Sequence, residues 1–150
     1  MTLVFFRMTI VVPVLFTATL QAEPSALVVD EKAKPKVRSS HIAAVHEEIE
    51  NPSGSREMAR LAVLKGMLNT KGMDWLYEGE GPGYILARWD YRGDTIILRV
   101  EYNQNLIQIK YEDGNSGYEC ENLIEGICYE NTRGYYNYLK NFRIAIVNQL

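Results

Sequence analysis

A chain of 150 residues, 47% of them hydrophobic, suits one domain with a core and is short for two. Its formal net charge is -3, with Lys and Arg dispersed among 19 acidic residues. It therefore lacks the basic stripe that nucleic-acid binding needs, and no nucleic-acid partner is expected.

Residues 1–22 carry Arg7 as their one charge, then an apolar run from Met8 to Leu20 and a small residue at Ala22, the pattern of a secretory signal peptide. The run is short for a span of about 20 residues and contains Pro13, so cleavage is expected, and the membrane is met only if this segment is retained. Export to the periplasm or beyond predicts a disulfide between Cys120 and Cys128. Seven intervening residues and no flanking His fit neither a redox Cys-x-x-Cys nor a zinc knuckle, so no metal or cofactor is expected.

Residues 23–55 are rich in Pro, Ser, Lys and Glu, with Pro24, Pro35 and Pro52 interrupting any long element, and read as a flexible lead-in. Inside it, His41 to Glu50 predicts a short helix with Ile42, Val45 and Ile49 on one side. His41 and His46, five apart, do not share a helix face and lack the His-Glu-x-x-His arrangement. They are expected to be solvated.

Residues 56–150 form the single α+β domain. Ser53 or Ser55 caps a helix whose stripe is Met58, Leu61, Ala62, Leu64 and Leu68, and Gly72 ends it. Gly66 inside it costs about 1 kcal/mol relative to Ala. Gly79, Gly81 and Gly83, interleaved with acids and followed by a strand, read as a turn and not a phosphate loop.

From Gly83 to Tyr111 apolar residues fall on alternate positions: Ile85, Ala87, Trp89 and Tyr91; Ile96, Leu98, Val100 and Tyr102; Ile107, Ile109 and Tyr111. Three antiparallel strands follow, with a fourth allowed and turns at Arg92–Asp94 and Asn103–Asn105. Arg88, Asp90, Arg99, Glu101, Gln108 and Lys110 take the opposite, wet face. Asn131 or Thr132 caps a final helix presenting Tyr135, Tyr138, Leu139, Phe142, Ala145 and Ile146. The expected fold is α+β: a helix, a three-stranded meander and a C-terminal helix, both helices on one sheet face.

The order of several short motifs resembles a family of small uncharacterised exported bacterial proteins, many described as lipoproteins. They are Lys71-Gly72-x-x-Trp75, Gly83-x-Ile85-x-Ala87, Arg92, Val100-x-Tyr102, Ile109-x-Tyr111-x-Asp113 and Tyr135-Tyr136-Asn137-Tyr138-Leu139, spanning residues 57–150. The family's lipobox Cys is absent, Gly114 replaces its Ser, and Asn131-Thr132 replaces its Ile-His pair. The resemblance implies the fold and an exported location and carries no established activity.

No nucleophile-and-base pattern accompanies Ser116, Asp90 or Glu101, so no enzyme is expected and no catalytic residue is assigned. The favoured reading is a small exported, non-catalytic binding or accessory protein of the bacterial cell envelope. Its partner would be another envelope protein or a cell-wall component, met through Tyr84, Arg88, Arg99 and Lys110 on the open sheet face. The alternative is an immunity or hydrolase-inhibitor protein that docks the Cys120–Cys128 loop in an enzyme cleft, a pre-ordered loop losing less entropy on docking.

Overall fold

A computed structural model describes residues 21–150, so the expected signal peptide lies outside the described residues except for Gln21 and Ala22. In chain order the elements are α1 (Ser39–His46), β1 (Ile49–Glu50), α2 (Arg56–Asn69), β2 (Leu76–Gly81), β3 (Tyr84–Tyr91), β4 (Asp94–Tyr102), β5 (Leu106–Asn115), β6 (Leu123–Ile124), β7 (Ile127–Cys128) and α3 (Arg133–Val147). The protein is α+β, with helices packed on an antiparallel sheet.

The expected meander forms its centre. β3 pairs with β4 from Tyr84↔Glu101 to Tyr91↔Asp94 through a two-residue turn in which Arg92 and Gly93 both have positive φ, as in type I′. β4 pairs with β5, and a bulge beside Ile97 and Leu98 leaves Glu112 without an opposite residue. Among the described residues the sheet has five strands and not three or four, in the order β1-β5-β4-β3-β2. β2 arises from the Glu- and Gly-rich stretch read as a turn. As an edge strand it needs backbone bonds on one side only, and its mostly exposed side chains impose no alternation. β1 is only two residues long, too short for any periodicity.

Ile85, Ala87, Trp89, Ile96, Leu98, Val100, Ile107 and Ile109 are all buried beneath the helices. α3 buries the expected Tyr135, Leu139, Phe142, Ala145 and Ile146, together with Tyr136, and the Phe142 ring stacks on Trp75 with centroids 4.8 Å apart. Tyr91 does not join them. It sits at the end of β3, 52% exposed, stacked on Trp89 with the Arg92 guanidinium 5.0 Å above its ring centroid.

α2 is capped by Ser55, whose hydroxyl accepts from the Met58 amide at 3.3 Å, but its buried face differs from the stripe of large residues. Ala59, Ala62, Val63, Gly66 and Met67 face inward, while Met58, Leu61 and Leu68 are exposed, Leu68 by 82%. The cause is the closeness of α3: a Cβ on Gly66 would lie 2.6 Å from Ile146 Cγ1 and 3.1 Å from its Cα. The helices can meet at this distance only through small side chains, so Gly66 is required by packing despite its poor helix propensity.

Segment 23–55 is tied to the domain at several points. The Asn103 side-chain amide donates to Glu23 Oε2 at 2.9 Å, the Asp30 amide to the Tyr129 hydroxyl at 2.7 Å and the Lys36 amide to Tyr129 O at 3.2 Å. Ile42, Val45 and Ile49 enter the main core. His46 is not solvated but 1% exposed, because the helix turns it inward with Val45 towards β5.

Cys120 and Cys128 form a disulfide across a small hairpin whose turn, Glu125-Gly126, again has positive φ at both residues. Among the described residues no helix is long and apolar enough to cross a membrane.

The Gly66 contact makes a direct prediction. Gly66→Ala should lower stability by about 1–3 kcal/mol in urea unfolding, although Ala is the better helix former. A gain in stability would show that the two helices do not approach this closely.

Candidate functional site

The four residues expected on the open sheet face are brought together. Strand register sets Tyr84 beside Glu101, Leu86 beside Arg99, and Arg99 beside Lys110, with Arg88 opposite Ile97. The Arg99 guanidinium carbon stands 3.5 Å from the centroid of the Tyr84 ring, a close cation–π contact.

Their charges, however, are answered within the sheet. Arg99 Nε donates to Glu101 Oε1 at 3.0 Å and Lys110 Nζ to Glu101 Oε2 at 2.7 Å, while Arg99 also lies 3.9 Å from Glu112. Arg88 is held by Asp90 at 2.9 Å and by Glu78 at 3.5 Å. Asp90 accepts in addition from the Thr95 hydroxyl at 2.7 Å, and this bond, followed by Arg88, keeps its carboxyl below the ordinary aspartate value. The same contacts raise Arg88 above its usual value, Asp90 first. The face is therefore a charge-balanced platform and not a free cationic one.

Nor is all of it wet. Gln108 is fully buried, its amide donating to His46 O at 2.8 Å and to Ile109 O at 3.2 Å. Beside it the tip of the cystine hairpin is laid against β5: the Tyr111 amide donates to Gly126 O at 2.8 Å, and a Cβ on Gly126 would be 2.8 Å from Lys110 Cβ. What stays accessible is the β3–β4 half, with Tyr84, Leu86, Arg88, Ile97 and Arg99 all partly exposed.

As for chemistry, Asp90 and Glu101 are both engaged by cations, and Ser116 is exposed with φ 52°. Cys120, Cys128 and Glu130 cluster within 4.8 Å, but the sulfurs are bonded to each other and offer no thiolate to a metal.

A second concentration of polar groups was not singled out by the sequence. A groove of about 620 Å³ is lined by Lys36, Val37, Arg38, Ser40, His41, Ala44 and Arg133, with no carboxylate in its walls. Its signal was the alternation Lys32, Lys34, Lys36, Arg38, inside a stretch read as lead-in.

Comparison with protein-family models, with curated proteins and with solved structures finds no match to this chain.

The buried His46 supplies a pH prediction. Its Nδ1 donates to the Ile109 carbonyl at 2.9 Å, since a carbonyl can only accept, and Nε2 is buried without a partner among the described residues. Burial lowers its pKa from 6.5 to about 4, against a smaller opposing effect of the Ile109 bond. The unfolded chain thus takes up the proton first. This contribution to stability is whole above pH 6.5 and is lost as pH falls to about 4, reaching on the order of 3 kcal/mol. Urea midpoints measured across that range should fall less in His46→Gln than in the wild type; parallel slopes would contradict the burial.

Proposed function

We propose that the protein is a small exported, non-catalytic binding or accessory protein of the bacterial cell envelope, consistent with the family it resembles. It engages another envelope protein through the β3–β4 half of the open sheet face. The observation that carries this reading is the stack of Arg99 on Tyr84, fixed by Glu101 and flanked by the partly exposed Leu86 and Ile97.

Arg and Tyr supply much of the energy of protein interfaces, and here both are already held in place, so little side-chain freedom remains to be lost on docking. Internal charge balance favours an extended protein surface over a compact charged ligand. The pinned tip of the Cys120–Cys128 hairpin speaks for the platform over a protruding inhibitory loop, since the hairpin lies along β5. The disulfide agrees with an oxidising compartment.

A crosslinking pull-down from periplasmic extract tests this. Tyr84→Ala and Arg99→Ala should each weaken capture of the principal partner by roughly 30-fold, as expected of interface hot spots. Leu123→Asp, at an exposed hairpin position, should leave capture unchanged. The opposite pattern would move the binding surface to the cystine hairpin and support the inhibitor reading.

A further inference from the structure

Besides the platform, the fold assembles a site of a different kind where α1 and α3 begin. The two helices run in the same direction: His41 in the first turn of α1 lies against Tyr136 in the first turn of α3, ring centroids 6.1 Å apart, and Glu47 beyond the end of α1 meets Arg143 at 3.4 Å. Their N-termini therefore lie side by side at one groove. Arg38, the N-cap of α1, Ser40 in its first turn, and Arg133, the first residue of α3, all line it.

Three observations give this groove a sign. Lys36, Arg38 and Arg133 form no ion pair among the described residues. Residues 1–20, which lie outside them, contain no Asp or Glu that could supply a partner. In a chain of net charge -3, three such cations around one groove, with no carboxylate in its walls, form a local excess.

Secondly, neither N-cap side chain, Arg38 nor Thr132, accepts a hydrogen bond from the first turn it precedes. In α1 the His41 amide already donates to Arg38 O at 2.9 Å, so the amides of Ser39 and Ser40, the leading amides of α3 and the positive ends of both helix dipoles are left for an outside acceptor. Thirdly, the half-buried His41 lines the groove, and among the described residues its Nε2 has no hydrogen-bond partner. The remaining lining, Val37 and Ala44, gives the groove an apolar side.

We propose that this groove binds a phosphomonoester. Three cations and two dipole ends match a dianion better than a single carboxylate, and Arg38 and Arg133 suit its oxygens because a guanidinium presents paired donors. A volume of about 620 Å³ exceeds what phosphate alone fills, so the phosphate is carried on a larger group, a soluble sugar phosphate or a phosphatidic-acid-type lipid headgroup. This does not depend on the sheet platform.

The full exported chain is titrated with glucose 1-phosphate, inorganic phosphate and acetate, by calorimetry and by NMR of the histidine rings. It is also floated with vesicles containing phosphatidic acid, or phosphatidylglycerol at equal surface charge. Glucose 1-phosphate should bind, inorganic phosphate more weakly and acetate least. The His41 ring signals should shift while those of His46, at the far end of α1, stay fixed.

The triple variant Lys36→Gln, Arg38→Gln, Arg133→Gln alters only exposed side chains and should keep the wild-type melting profile. It should lose at least about tenfold in affinity. Preference for phosphatidic acid vesicles without binding of the soluble probes assigns the phosphate to a lipid. The proposal is overturned if no phosphate probe binds, if acetate binds as well as phosphate, if the triple variant binds equally, or if the two vesicles are bound alike with no soluble binding.

Discussion

Alternation along Tyr84–Tyr111 gives the central sheet one face that cannot be left against water, and the position of every helix follows from covering it. Three strands contribute apolar side chains to that face at the close spacing of a β-sheet. No single helix is wide enough to cover them. α3 supplies the main cover with aromatic side chains, α2 closes one flank, and α1 closes the other against β5. Such burial is the largest favourable term available to a chain of this size.

That requirement fixes the distances between helices. α2 must lie on the sheet beside a helix whose buried face is already filled by Tyr135, Tyr136, Leu139 and Phe142, and it meets α3 closely at Gly66. On the other side α1 runs parallel to α3 and brings two helix starts to one place, where the chain supplies Lys36, Arg38 and Arg133. On the far face of the sheet charged residues alternate along the strands, and Arg99 and Lys110, opposite each other in register, share the carboxylate of Glu101. A platform and a cationic groove are thus both products of the same sheet.

The meander and the C-terminal helix were legible because alternation runs through all three strands and a helical period runs from Tyr135 to Ile146. The stripe on α2 misled because Met58, Leu61 and Leu68 are the larger apolar residues, and a sequence read alone cannot know that α3 leaves no room for a side chain at Gly66. β2 was hidden by glycines and glutamates that an edge strand tolerates. The four platform residues were found from alternation, but not their neutralisation by Asp90 and Glu101, which depends on side-chain reach within a strand and across to its neighbour. His46 and the groove were missed for a common reason: Pro, Lys and Ser marked residues 23–55 as lead-in, and only tertiary contact shows Ile42, Val45 and Ile49 in the core.

The account depends most on α1 being part of the folded domain, since the groove, the burial of His46 and the covering of Gln108 all need it there. Amide hydrogen exchange of the exported chain measures this directly. Amides of Val45, His46 and Ile49 should be protected to the same order as those of Leu98 and Val100 in β4, opening only when the whole domain unfolds. Rapid exchange across 39–50 with β3 to β5 still protected would contradict the account, and would return this segment to a lead-in outside the fold.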